Sequence, residues 1–218
     1  MLVSIIINIL IFITLIFSII IHEVAHGYVA FFFGDTTAKR SGRLTLNPLK
    51  HIDPVGTIIL PLLLRLSNSP VVFGWAKPVP VNTMNMRNPK TSMVLVAAAG
   101  PLSNIIQGLF LILIGRVLLM TINYQVPTIA SSIIAVAITV LGWGVFYNFL
   151  LAFFNLIPIP PLDGSRILRF FMPSRLQVLF DKLEPYGILL IFIVLYFFRD
   201  AFDYVYKLII YVIGNLMY

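Results

Sequence analysis

Long apolar runs, separated by short polar and proline-rich stretches, dominate the chain. Residues 3–33 form the first run, and later runs cover about 91–121 and 128–156. Each run is longer than the roughly 20 residues that a helix needs to cross a ~30 Å hydrocarbon core. The pattern therefore predicts three membrane-spanning helices.

Shorter apolar runs lie between and after these helices. Residues 56–65 are too few to span a bilayer, which favours a re-entrant or interfacial segment. Residues 71–82, with the sequence VVFGWAKPVPVN, mix valines with prolines and predict a short extended, β-like segment at membrane depth. The last two runs, about 186–198 and 201–217, predict a tight helical pair.

The composition agrees with a membrane protein. Hydrophobic residues make up 60% of the 218 positions and charged residues 11%, whereas about a quarter of a soluble domain is charged. The expected fold is an all-α polytopic membrane protein forming one domain over residues 1–218. It has a three-helix core over about 3–172 and the C-terminal helical pair over about 185–217.

The charge and the cysteine content exclude several classes of function and of metal site. The net charge of +7 does not indicate nucleic-acid binding, because no basic stripe interleaves with exposed aromatic residues. Lys and Arg instead concentrate between the first and second helices and after the third, which predicts that both loops are cytoplasmic. The chain has no cysteine, and this excludes disulfides and thiolate metal ligands.

The first apolar run contains the motif His22-Glu23-Val24-Ala25-His26, of the form H-E-x-x-H. On a helix, positions i and i+4 share one face, so the two imidazoles can bind one Zn²⁺. Glu23 can then take a proton from a water molecule beside the metal. Ionisable residues at bilayer depth are costly and mark function by default, which favours a metal site over structural core histidines.

A catalytic zinc site usually has three protein ligands, so one more is expected. His51 is one candidate, although its polar loop also suits a solvated or hydrogen-bonded imidazole. Asp163 is favoured, because prolines stop the third helix before it and Gly164 permits backbone angles that other residues avoid. The alternative for Asp163 is a helix-capping role.

Three motifs together resemble the site-2 protease family of intramembrane metalloproteases: H-E-V-A-H at 22–26, G-P-L-S-N at 100–104 and N-x-x-P-x-P-P-L-D-G at 155–164. The resemblance covers about residues 15–170. It implies a three-helix catalytic core in which His22, His26 and Asp163 hold one Zn²⁺ and Glu23 is catalytic. It also implies the short prokaryotic form, without a PDZ-like or CBS-like domain in this sequence.

The resemblance extends to candidate substrate-binding residues. Asn155 matches a family asparagine that contacts the substrate backbone. Asn104 is a second candidate, as a donor to the oxyanion or as a hydrogen-bonding residue between helices. The segment from Gly74 to Asn82 resembles the family's membrane-embedded extended element, which serves either to pair with substrate or to seal the site from lipid.

The expected function is therefore that of an intramembrane zinc metalloendopeptidase acting on single-span membrane proteins. We expect it in the lipid bilayer of a prokaryotic cell membrane, with the active site towards the cytoplasm. One alternative is a membrane transporter of zinc or another divalent cation, which a single site without an internal repeat disfavours. The other alternative is a catalytically inactive relative that binds membrane helices.

Overall fold

The computed structural model describes residues 1–67, 74–121 and 129–217, which form helices joined by irregular segments. The α-helices in chain order are α1 (Leu2–Phe32), α2 (Thr37–Arg40), α3 (Leu60–Leu66), α4 (Pro89–Thr121), α5 (Ile129–Leu156), α6 (Asp163–Phe171), α7 (Ser174–Leu183), α8 (Gly187–Phe197) and α9 (Arg199–Met217). Short 3₁₀ turns cover Pro48–Lys50, Thr83–Asn85 and Glu184–Tyr186.

Three of these helices are long and apolar enough to cross a membrane: Leu2–Phe32, Pro89–Thr121 and Ser131–Leu156 within α5. They coincide with the three long runs of the sequence, so the all-α, multi-pass prediction is confirmed. The predicted C-terminal helical pair is also present, as α8 and α9.

Helix α4 lies at the centre and packs along α1, α5 and α6. Glycines allow these close contacts: a Cβ at Gly108 would lie 2.8 Å from the Phe149 ring, and one at Gly115 would lie 2.5 Å from the Met217 side chain. Small residues at such positions let membrane helices approach closely. The small-residue stretch at 97–100 works in the same way, because Ala97 and Gly100 are both buried.

Helix α9 closes the far end of this core. Ile209 and Ile213 of α9 pack with Val145 and Phe146 of α5 and Ile112 of α4. This contact attaches α9 to the spanning helices, and a second, smaller apolar cluster of Ala30, Met86 and Val96 lies between α1 and α4.

The chain leaves α1 through a glycine turn. Gly34 has φ +106°, a conformation that favours glycine, and its N–H donates to the Phe31 carbonyl. The segment predicted to be re-entrant is a π-turn over Pro54–Ile59 that continues into α3. Most of its apolar side chains are exposed.

The predicted extended segment 71–82 needs a correction. Residues 71–73 lie outside the described residues, and residues 74–82, named the strap below, form no β-strand with any described part of the chain. Pro78 and Pro80 have no N–H to give to a ladder. The N–H groups of Val79 and Asn82 donate to carboxylate side chains instead.

Candidate metal centre

The two histidines of α1 face inward, one helical turn apart. His22 and His26 are 6% and 8% exposed, and their Nε2 atoms lie 3.1 Å from each other. Gly100 of α4 makes room for both rings, since a Cβ there would lie 2.5 Å from Cε1 of either imidazole. The apolar helix therefore directs two nitrogen ligands to one buried point.

Asp163 reaches the same point from another helix. It is the first residue of α6, and its Oδ2 lies 3.1 Å from His22 Nε2 and 3.2 Å from His26 Nε2. The chain turns sharply between α5 and α6, and Gly164 lies so close to the Leu156 carbonyl that no side chain fits there. The glycine thus allows α6 to begin directly beside the end of α5.

Hydrogen bonds fix which nitrogen of each imidazole carries the proton. His26 Nδ1 lies 2.6 Å from the Val96 carbonyl, and a carbonyl only accepts, so Nδ1 donates. His22 Nδ1 lies 2.6 Å from Asn104 Oδ1 and donates in the same way. A neutral imidazole protonated at Nδ1 has a lone pair at Nε2, the form that binds metal.

The orientation of the Asn104 amide follows from its own partners. Its Nδ2 donates to the Ser18 carbonyl at 3.3 Å and to Asn148 Oδ1 at 2.9 Å. Asn148 is held in turn, because its Nδ2 donates to Ser18 Oγ and to the Gly144 carbonyl, both at 2.9 Å. With Nδ2 turned this way, Oδ1 must face His22.

The converging atoms have the chemistry of a metal site. His22, His26 and Asp163 each offer one ligand atom, and these atoms lie within 4.8 Å of one another. Both Nε2 atoms present lone pairs towards Asp163 Oδ2, which is buried and accepts no hydrogen bond from the described residues. A divalent cation between these atoms would offset their mutual repulsion, so the residues fit a metal ion bound by two imidazoles and a carboxylate.

Glu23 lies beside this cluster and is half-buried. Its Oε2 accepts a hydrogen bond of 2.8 Å from the Val79 N–H of the strap. The contact fixes one carboxylate oxygen next to the histidines.

The strap is also anchored at two points outside the cluster. The Asn82 N–H donates to Asp35 Oδ2 at 2.6 Å, and the Lys77 N–H donates to the His51 carbonyl at 2.9 Å. Burial would raise the pKa of Asp35, but hydrogen bonds from Thr37, Asn82 and Asn85 outweigh it and lower the pKa below its usual value. Asp35 therefore acts as a charged anchor for the strap.

His51 is the other candidate for the third ligand. Among the described residues, it does not belong to the group that could hold a metal ion, which consists of His22, His26 and Asp163. It is 2% exposed, and its Nε2 bonds to the Thr45 carbonyl at 2.8 Å. Its place is structural, next to the strap.

The two asparagines predicted to bind substrate have different surroundings. Asn104 is fully buried and its amide is engaged with His22, Ser18 and Asn148. Asn155 is half-buried and donates one hydrogen bond to Leu151 of its own helix. A contact between either residue and substrate stays a prediction.

Several functional contacts escape sequence reading. The Val96 carbonyl and the Val79 N–H are backbone groups, which leave no trace in residue identity. Asn148 and Ser18 are polar residues within apolar runs, a signal that could have marked them. Arg43 belongs by sequence to the basic loop between the first and second spanning helices, yet it is only 6% exposed.

The sequence matches the model of a known family, Peptidase family M50, over residues 10–198. A Bacillus subtilis protein named "Putative zinc metalloprotease YwhC" is 42% identical over 185 residues, which cover 84% of this chain and 78% of that protein. "Putative zinc metalloprotease Rip2" of Mycolicibacterium smegmatis is 29% identical over 82% of this chain and 63% of its own length. A Mycobacterium tuberculosis protein of the same name is 30% identical over 67% of this chain and 51% of its own. No solved structure matches the chain significantly.

Proposed function

Because the chain belongs to the site-2 protease family, peptidase family M50, we propose that it is an intramembrane zinc metalloendopeptidase. Its substrates are the membrane-spanning segments of other membrane proteins. The observation that carries the proposal is the convergence of His22, His26 and Asp163 beside Glu23, with the two histidines on a helix long enough to span a bilayer.

One Zn²⁺ would be held by His22, His26 and Asp163. The Val96 carbonyl and the Asn104 amide keep both imidazoles in the metal-binding tautomer. With three protein ligands the site would have the ligand number of a catalytic zinc site, which also admits water or substrate. When bound, zinc supplies Lewis acidity, which polarises a peptide carbonyl and makes a water molecule more acidic.

Glu23 is the proposed general base. Its carboxylate takes a proton from the attacking water and passes it to the leaving amine. The hydrogen bond from the Val79 N–H holds one carboxylate oxygen, and the other oxygen remains for the proton. Fixing the base in this way reduces the orientation cost of the proton transfer.

Substrate recognition requires a locally unwound helix. A membrane-spanning helix satisfies its backbone groups internally, so the scissile peptide bond is reachable only where those hydrogen bonds open. Asn155 is the proposed contact to the exposed substrate backbone. Asn104 is a weaker candidate for substrate contact, since it would have to release His22 or Asn148 first.

The proposed location is the cell membrane of a prokaryote, with single-span membrane proteins as partners. His26 lies within two helical turns of the end of α1, which is followed by a loop rich in Lys and Arg. The positive-inside tendency of such loops supports a site that opens towards the cytoplasm.

The test compares membranes carrying the wild type with membranes carrying Glu23→Gln or Glu184→Gln. Glu184 is the other glutamate of the chain and is exposed, so it serves as the matched control. We expect Glu23→Gln to keep its zinc while uncut single-span proteins accumulate, and Glu184→Gln to match the wild type. Wild-type cleavage by Glu23→Gln, or zinc flux that needs no cleavage, would contradict the proposal and favour a transporter.

A further inference from the structure

We infer that Arg43 is a positioning residue for Glu23, acting through the strap. Its guanidinium holds the strap where the Val79 N–H meets the Glu23 carboxylate. The inference rests on the proposed function, because that proposal makes Glu23 the general base.

Arg43 is a buried cation whose partners are backbone carbonyls. Its Nη2 donates to the Lys77 carbonyl at 2.6 Å and to the Pro78 carbonyl at 3.3 Å. Within the part of the chain that the structure describes, its guanidinium pairs with no carboxylate. Its Nε is buried without a hydrogen-bond partner in that part of the chain, so the two carbonyls bound by Nη2 are the contacts that offset the cost of burying this charge.

Those carbonyls belong to the part of the strap that touches Glu23. The peptide unit between Pro78 and Val79 is held at both ends: its C=O accepts from Arg43 and its N–H donates to Glu23 Oε2 at 2.8 Å. A donor at the carbonyl polarises the peptide unit and strengthens its N–H as a donor. Arg43 and Glu23 are thus linked through one peptide bond.

The local sequence leaves one amide free to face Glu23. Val79 stands between Pro78 and Pro80, which have no N–H, and a residue before proline is restricted to extended conformations. The Lys77 amide is already bonded to the His51 carbonyl. Val79 is therefore the donor of this stretch, and its direction depends on how the strap is held.

The side chain of Val79 fixes how closely the strap packs against α1, but it does not fix the direction of the Val79 N–H. Val79 is buried against α1 at Gly27, where a Cβ would lie 2.9 Å from Val79 Cγ1. The anchor at Asp35 lies three residues further along, at Asn82. Arg43 binds the carbonyls immediately before Val79, so it has the most direct hold on the amide.

The metal ligands do not share this support. His22 and His26 are held by Asn104 and Val96, and Asp163 by the start of α6. Loss of the Arg43 contacts should therefore leave zinc binding intact while Glu23 loses its fixed orientation. That separation distinguishes positioning of the base from general support of the fold.

The test uses the full chain with Arg43→Met, which removes all donors but keeps the apolar stem, and with Arg43→Lys, which keeps a cationic donor. Arg40→Met, at an exposed arginine of α2, is the matched control. Three quantities are measured: amide hydrogen exchange over residues 77–81, zinc per chain, and the cleavage rate of a single-span reporter with a Gly–Pro pair in its apolar segment.

We expect Arg43→Met to exchange the Val79 amide about tenfold faster and to cut the reporter about tenfold more slowly, as loss of a charge-assisted hydrogen bond predicts. Zinc content should stay at the wild-type level, Arg43→Lys should fall between, and Arg40→Met should match the wild type. The inference would be overturned if the Val79 amide of Arg43→Met exchanges at the wild-type rate. It would also be overturned if the variant loses zinc at the same time as its Val79 amide exchanges faster. If the wild type does not cut the reporter, the proposed function is in question, while the exchange rates still decide the role of Arg43.

Discussion

Nε2 of His22 lies 3.1 Å from Oδ2 of Asp163, so a residue within α1 meets the first residue of α6. Neither atom has a proton to share when the His22 proton is on Nδ1, towards Asn104. The contact is therefore favourable with a cation between the two groups and unfavourable without one. Metal binding should consequently tie α1 to α6 and stabilise the fold.

Replacing Asp163 with Asn tests this link. The amide has nearly the same shape but no negative charge, so zinc affinity should fall. Mutation of a residue that hydrogen-bonds a metal ligand typically costs roughly 10–100-fold in affinity, and loss of a ligand itself should cost at least as much. Zinc titration of the purified protein measures the change. Asp200→Asn, at an exposed aspartate of α9, should bind zinc like the wild type. Equal affinity in both variants would remove Asp163 from the ligand set.

The second test concerns Asn104, which holds His22 from behind. Asn104→Ala removes the acceptor of the His22 Nδ1 proton, and we expect about a 10–100-fold loss of zinc affinity. Asn215→Ala is the control, since Asn215 is exposed and its amide bonds within its own helix. Full zinc affinity with slow cleavage would instead indicate that Asn104 acts on the substrate.

The third test uses the space that Gly100 leaves for the imidazoles. Gly100→Ala would place a methyl group 2.5 Å from Cε1 of His22 and of His26, so the rings must move and zinc content should drop. Gly214→Ala, in α9, meets no atom within 4 Å and should keep its zinc. Alanine is also the better helix former by about 1 kcal/mol, so loss of zinc could not be ascribed to helix propensity. Normal zinc content in Gly100→Ala would contradict the described packing.

The fourth test follows from the lowered pKa of Asp35. A depressed pKa means that the unfolded chain binds the proton more readily, so ionised Asp35 stabilises the fold above its ordinary pKa of about 3.8. This stabilisation is lost as the pH falls through the lower folded pKa. Asp35→Asn should therefore lower the free energy of unfolding at pH 7 by about 2–3 kcal/mol, because buried charge-assisted hydrogen bonds are lost.

The difference between wild type and Asp35→Asn should shrink as the pH falls below about 4. Thermal unfolding in detergent at pH 7 and at low pH measures it, with Asp200→Asn as the exposed control. A difference that is the same at both pH values would mean that the Asp35 charge does not stabilise the strap.

Sequence reasoning could predict the spanning helices and the pair of histidines from residue identity, and it favoured Asp163 as the third ligand, which the family resemblance also implied. Apolar length marks α1, α4 and α5. The one-turn spacing of His22 and His26 places both on one helix face, and the proline-rich break before Asp163 allows that carboxylate to turn inward. These are local rules, so they survive without knowledge of the tertiary contacts.

The contacts around the strap could not be predicted in this way. The valine and proline pattern at 74–82 favours extended backbone, but whether such backbone pairs as a strand depends on neighbours far away in sequence. Here the backbone of the strap forms hydrogen bonds with the side chains of Glu23, Asp35 and Arg43, in place of the hydrogen bonds that it would form with a partner strand. The hydrogen bond from His26 Nδ1 to the Val96 carbonyl could not be predicted from the sequence either, since it depends only on how α1 packs against α4.

The most direct measurement is zinc K-edge X-ray absorption on the purified full chain. We predict zinc at about one ion per chain, with imidazole nitrogens at about 2.0–2.1 Å and carboxylate oxygen at about 2.0–2.2 Å in the first shell. Imidazole scattering should be lost or reduced in the variant with both His22 and His26 changed to Ala. A wild-type protein that stays metal-free in excess zinc, or zinc bound without imidazole, would contradict the account.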